Sequence, residues 1–289
     1  MRDLVAGLGL AAAVTLSPAA AAADTTFGVI APRGEVQAAA DWGALADHLT
    51  AALGETVTLR PLGTQALLDA YRAGEFDFML TNPVMSAMAE REGGPLIASL
   101  EKKSGKQLAG VIVANRNAGI ATVADLKGKR LITPPTASAG AFICPSALAV
   151  EHGVSVPADM SVHKIGNNQV DMIRLVEKGV FDVAFVRSGM VENAVANAGV
   201  DPANIVVVNE QSTPGFPHRH STKLYPEWYV VGRPGLDAAQ VDRVRKALLA
   251  VDPGSEAAVS AGVVGFQPPL DIAAIVEALS LVGMAPFGS

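Results

Sequence analysis

TVTLRPLGTQALLDAYRAGEFDFMLTNP, residues 56–83, alternates its hydrophobic period in a way that decides the fold class. Residues 56–61 read as a strand; 64–73 carry apolar residues at helical spacing and stop at Gly74; residues 76–80 are again a strand. Thr81-Asn82-Pro83 then opens another helix, because proline is tolerated in a first turn and asparagine before it forms the turn. The same rhythm precedes this stretch. A strand at 27–31 is left by the turn 32–35 and followed by a helix at 36–53, with Ala39, Trp42, Leu45, Ala46, Leu49 and Leu53 on one face and Gly54 as its stop. A β-α-β-α-β-α order implies a parallel sheet wound with helices, and such sheets bind ligands at the carboxyl ends of their strands. Those ends are residues 31–34, 62–64 and 81–82, which brings forward Arg33, Thr64 and Asn82.

Strands at 96–100 and 108–114 precede a second series that starts at residue 131. It comprises LITPPTASAGAFICPSALAVEH (131–152), a strand at 161–165, a helix at 169–178, a strand at 182–186 ending near Arg187, a further helix, and a strand at 205–208. Residues 211–228 are polar and rich in Pro and Gly, and read as a return linker with little regular structure. A strand at 228–231 and helices at 237–250 and 271–282 then pack back on the first unit. Two βα series joined by extended chain suggest two lobes with a cleft between them, 24–112 plus 213–289 and 113–212. The hinge is expected near residues 111–115 and in the return segment.

Half of the 289 residues are hydrophobic, so a substantial core is available. Charged residues make up 17% and the net charge is -6, which argues against nucleic acid as a partner because phosphate neutralisation needs a basic face. A small anion remains compatible with that charge, since the field in a cleft is set by local dipoles and one or two cations. Residues 1–23 read as a secretory signal: Arg2, an apolar run at 4–16, then alanines before Asp24. The lone cysteine, Cys144, has no partner for an internal disulfide.

In residues 131–152 a strand end runs through a Pro/Thr/Ser/Gly turn into a helical pattern, so backbone N–H groups and hydroxyls converge at a helix N-terminus, a place to hold a small anion. Two placements of Cys144 stay open. If the helix begins at Pro145, Cys144 caps it with a reactive thiol of depressed pKa; if it begins near Ser138, Cys144 is plain core. A thiolate ligand suits a soft solute such as arsenite or a compound with a sulfur–sulfur bond. His218 and His220 lack the further ligands that a metal site requires and read as solvated, and His152 reads as a surface group at a helix end.

ALADHLTAALG (44–54), GEFDFMLTNP (74–83), ADLKGKRL (124–131) and KGVFDVAFVRSG (178–189) resemble the phosphate/phosphonate-type periplasmic solute-binding proteins of ABC importers. LTNP and HSTKLYPEW (220–228) are similar to a branch that serves as the periplasmic sensor of two-component systems. The resemblance covers nearly the whole chain after residue 23. It implies an α/β, two-lobed type II periplasmic binding fold, each lobe a mainly parallel sheet flanked by helices, closing on a small oxyanion or oxyacid at the hinge cleft. The family's phosphonate site uses a Ser-Thr-Ser-Gly run, where this chain has Thr136, Ala137, Ser138, Ala139 and Gly140, so two hydroxyls remain.

The expected ligand set is therefore Arg33, Thr64, Asn82, Thr136, Ser138, Ala139, Gly140, Cys144 and Arg187, with no cofactor and no metal beyond a possible arsenic ligand at Cys144. The expected function is capture of the ligand in the periplasm, arsenite being the specific candidate, and presentation to a membrane sensor histidine kinase. The alternatives are the binding component of an ABC permease for phosphate, phosphite or phosphonate, and an enzyme with Cys144 as nucleophile, for which none of His152, His163, His218 and His220 is placed persuasively as base.

Overall fold

The computed structural model describes residues 24–135 and 137–288; the expected signal segment and Thr136 lie outside the described residues. One sheet has six strands in the order Gly265–Gln267, Leu96–Glu101, Tyr229–Gly232, Phe78–Thr81, Thr25–Ile30, Val57–Leu62. Thr25–Ile30 pairs in parallel with both of its neighbours, as the βαβ rhythm requires. Tyr229–Gly232 inserts antiparallel between Phe78–Thr81 and Leu96–Glu101. Chain that returns from the other lobe starts at the cleft and runs away from it, whereas the βα strands run towards it. The sheet is therefore mixed.

The second sheet obeys the same logic. Its order is Ile205–Val208, Gly110–Asn115, Val183–Arg187, Arg130–Thr133, Ser161–Lys164. Arg130–Thr133 is parallel to both neighbours, and Gly110–Asn115, the strand that enters this lobe, is antiparallel to both of its own. Gly110–Asn115 lies wholly in this sheet, and residues 107–109 lead into it.

The two crossings are stitched together. Gln107–Leu108 pairs antiparallel with Tyr225–Pro226; the Ser221 and Thr222 N–H groups donate to the Gly110 carbonyl at 2.9 and 3.3 Å, and the Gly110 N–H donates to Thr222 Oγ1 at 2.9 Å. Gly110 has to be glycine: a Cβ there would stand 2.6 Å from Pro145 Cδ and 3.0 Å from the Gly140 carbonyl oxygen.

Helix Glu35–Leu53 presents Trp42, Leu45 and Leu49 to the first sheet and stops at Gly54, which adopts the left-handed conformation. Among the elements that escape the sequence reading are helix Glu256–Ala261, capped by Ser255, and edge strand Gly265–Gln267. Both are too short to carry a clear period. The last helix, Ala273–Leu281, does not pack on the first lobe alone; it touches Pro83–Arg91 and Cys144–Glu151. Its Ile275 and Leu279 join one apolar cluster with Leu67 and Met85 of the first lobe and Phe142 and Cys144 of the second. Each such buried aliphatic side chain contributes about 1.5–3 kcal/mol, so this cluster ties the lobes on the side behind the cleft.

Candidate functional site

A cavity of about 410 Å³ lies between the lobes. Strand-to-helix turns of the first lobe bring Arg33, Gly34, Thr64 and Asn82 to it, and the second lobe brings Ser138, Ala139, Gly140 and Arg187. The fold thus gathers every described member of the expected set except Cys144.

Helix N-termini converge on this cavity. Glu35–Leu53 starts after Gly34 and Thr64–Arg72 after Gly63, and neither start is closed by a side-chain cap. The turn Ala139–Ile143 follows Ser138, again without a side-chain cap, and continues directly into Cys144–Glu151. Leading N–H groups of a helix have no partner within it and carry the positive end of its dipole, so they suit an anion. Asn82 is different. Its Oδ1 accepts from the N–H groups of Val84 and Met85 at 2.9 and 3.2 Å, capping Pro83–Arg91 and leaving its amide group as the remaining donor.

Cations add to these dipoles. Arg33 pairs with Asp41 at 2.7 Å and stays 70% exposed, a solvated pair with little hold on the side chain. Arg187 pairs with Glu227, a carboxylate with no exposure at all. Lys102 also lines the cavity, with Nζ 3.5 Å from Glu227 Oε2 and 5.5 Å from the centre of the Trp228 ring. Burial pushes the Glu227 carboxyl up, but Arg187 and Lys102 outweigh burial and hold it below its ordinary value. Burial and the neighbouring Arg187 push the Lys102 ammonium down to about 8. Trp42, Leu100, Leu108 and Trp228 supply apolar wall.

Lys102, Glu227, Trp42 and Trp228 were absent from the expected set. Lys102 directly follows strand Leu96–Glu101, so the rule that picked Arg33 and Asn82, applied to this strand, picks it too. Glu227 and Trp228 stand inside the HSTKLYPEW motif, but nothing in that motif marks which of its side chains face inward.

Cys144 corrects the sequence reading. It is fully buried and belongs to the apolar cluster behind the cleft, and burial pushes its thiol well up rather than down. The helical run begins at Ala139, so Cys144 is inside it. Pro145 has no N–H for the Ala141 carbonyl, and that carbonyl accepts from Thr133 Oγ1 at 2.9 Å instead. The turn widens here into a π-type turn over Ala139–Ile143, closed by the Cys144 N–H on the Ala139 carbonyl. This widening seats the thiol in the core.

The histidines lie outside the cavity. His220 is buried rather than solvated; its ring nitrogens meet Thr213 Oγ1 at 3.0 Å and the His218 carbonyl at 2.9 Å. His152 Nδ1 meets the Leu148 carbonyl at 2.9 Å within its own helix end. Among the described residues no group of three or more His, Cys, Asp or Glu side chains is placed to hold a metal ion.

Two α/β lobes joined by paired crossing strands, with helix N-termini and cations turned into the gap between them, define a two-lobed solute-binding protein. The chain belongs to the family described as the periplasmic phosphonate substrate-binding proteins of ABC transporters, which it matches over residues 27–272. That family is one of binding proteins, not of enzymes. The chain is 28% identical over 247 residues to the tetrathionate sensor histidine kinase TtrS of Salmonella typhimurium, covering 83% of this chain and 41% of that protein. It thus spans about two fifths of the relative's length. Among solved structures it is similar to XAC2383 from Xanthomonas citri bound to chloride ion, with TM-score 0.71, 16% identity, and 90% of this chain and 96% of that one covered. It is similar as well to PhnD1 from Prochlorococcus marinus in complex with methylphosphonate, with TM-score 0.68, 16% identity, and coverage of 89% and 97%. At such identities these two structures speak to the fold.

Proposed function

We propose that this chain is the periplasmic capture component of a sensory system, and that its ligand is a sulfur oxyanion of the tetrathionate type. The observation that carries this reading is the cleft itself, in which cations and helix N-termini alternate with the indoles of Trp42 and Trp228. Tetrathionate is a dianion with a sulfonate at each end and polarisable divalent sulfur between. Its ends suit N–H donors and guanidinium, and its middle suits an aromatic wall. The relative named as a tetrathionate sensor supports the same ligand. Arsenite loses its support, because it needs thiolate and Cys144 is in the core. The closed form is presented to a membrane sensor kinase after export directed by residues 1–23.

The family match favours a second reading, the binding component of an importer for phosphate, phosphite or phosphonate. Such a group presents hard oxygens that ask for several O–H and N–H donors, and alanine at 137 and 139 removes side-chain donors at the expected place. Calorimetry of the purified chain with tetrathionate, arsenite, phosphate and phosphite separates the readings. Heat of binding with tetrathionate alone is expected. Tighter binding of phosphate or phosphite selects the importer, and binding of arsenite alone overturns both.

A further inference from the structure

Glu227 lies behind two cavity-lining cations, Lys102 and Arg187, and neither caps a helix nor belongs to an apolar cluster. Its carboxylate is fully buried, and it stands between two cations that come from different lobes. Arg187 ends a strand of the second sheet, whereas Lys102 and Glu227 flank strands of the first. Oε1 accepts from Arg187; Oε2 has no hydrogen-bond partner and faces the Lys102 ammonium at 3.5 Å. A buried carboxylate with one idle oxygen is costly unless its charge is held by both neighbours. One negative charge against two positive ones leaves one positive charge unspent at the cleft floor.

The two cations are not equivalent. Arg187 is the more firmly anchored: its backbone N–H donates to Gln169 Oε1 at 2.7 Å, and its Nη2 donates to Glu227 Oε1. The Lys102 ammonium sits beyond hydrogen-bond length from its carboxylate, 24% exposed, so its donors are available to the cavity. We infer that Lys102 contacts the bound anion directly, and that Glu227 is the positioning residue that holds Lys102 and Arg187 at the interlobe floor, so that anion capture is linked to the proton on Lys102. The inference rests on the reading of the cleft as an anion site.

The charged groups around Lys102 are Arg187 from the second lobe, Glu227 from the return segment and Arg33 from the turn after the first strand. Burial and Arg187 bring its ammonium down to about 8 in the empty cleft. A bound anion raises it again. Above about pH 8 Lys102 therefore takes up a proton as the anion binds, and affinity falls by up to about tenfold per pH unit. An arginine in its place is always charged and shows no such dependence.

Two measurements test this. In the ligand-free chain, tryptophan emission against pH reads the ammonium beside Trp228. A transition near pH 8 is expected in the native protein and lost in both Lys102→Met and Lys102→Arg. Glu227→Gln is expected to lower its midpoint, and Glu227→Asp to restore part of the shift. The same transition surviving in the Lys102 variants overturns the inference. Calorimetry with tetrathionate and with phosphate, in buffers of different ionisation heat at pH 6.5 and pH 9, reads the proton directly. Uptake is expected at pH 9 and not at 6.5, with Lys102→Arg binding without uptake and Lys102→Met at least tenfold weaker at pH 6.5. Uptake that persists in Lys102→Arg, or native affinity in Lys102→Met, overturns it. If neither probe binds the native chain the oxyanion reading fails, and with it the ligand contact; the emission titration still decides whether Glu227 couples to Lys102.

Discussion

Asn167 of the second lobe donates from Nδ2 to the Pro32 carbonyl of the first at 3.1 Å, across the mouth of the cleft, and both residues line the cavity. The lobes are therefore drawn together at the front by a hydrogen bond and tied behind by the apolar cluster that Ile275 and Leu279 complete. An exposed hydrogen bond is weak, and that suits a contact that has to open.

Asn167→Ala removes this bridge without touching the cleft floor. A hydrogen bond of this kind contributes about 0.5–1.5 kcal/mol, so ligand affinity is expected to fall about two- to tenfold. Dissociation should account for most of the change, because a bridge between the lobes resists their opening. Stopped-flow release of the ligand identified by calorimetry checks this, and unchanged release from the variant argues against a closing role.

Cys144→Ser places a hydroxyl in the apolar cluster behind the cleft. Loss of about 1–3 kcal/mol in urea unfolding is expected, with ligand affinity unchanged. The native thiol should resist alkylation at pH 8 until the chain is denatured, since burial disfavours the thiolate. Rapid alkylation of the folded protein would place Cys144 at an accessible surface.

Glu227 gives stability a pH dependence whose sign follows from its two cations. Its folded-state carboxyl lies below its ordinary value because Arg187 and Lys102 overcome the effect of burial. The stability it contributes is thus fully present above the unfolded value of about 4.3 and is lost as pH falls through the lower folded value. Glu227→Gln is expected to cost about 3–5 kcal/mol at pH 7, because it leaves two part-buried cations without their counter-ion. Urea midpoints of native and variant proteins should approach each other below about pH 4.

Gly110→Ala tests the stitched crossing. The added methyl meets the Pro145 ring and the Gly140 carbonyl oxygen closer than real contacts allow. About 1–3 kcal/mol of destabilisation is expected from that overpacking. The turn that carries Ser138, Ala139 and Gly140 must shift with it, so affinity should fall as well. A variant that keeps both stability and affinity would mean that the crossing yields without cost.

The first lobe was legible because its punctuation is local. Gly54 ends a helix where a left-handed residue is needed, and Asn82-Pro83 starts one where a cap and a missing N–H are both wanted. Those signals act within a turn of chain, and they placed Arg33, Thr64 and Asn82 at strand ends that do meet in one cavity. The mixed sheets were not legible, because strand direction depends on which lobe the chain has come from. Cys144 was not legible either: one turn of helix phase decides between cleft and core, and Pro145 with Thr133 sets that phase through a widened turn.

The sequence by itself determined the alternation of strands and helices, the two lobes and the ring of polar turns, since period, caps and breakers are written in neighbouring residues. Only the tertiary structure decided that Lys102, Glu227 and Arg187 form one unit at the floor of the cleft and that the thiol is not among them. A carboxylate's charge state and a thiol's reactivity are set by desolvation and by groups far away in the chain, and both arise only when the fold brings those groups together.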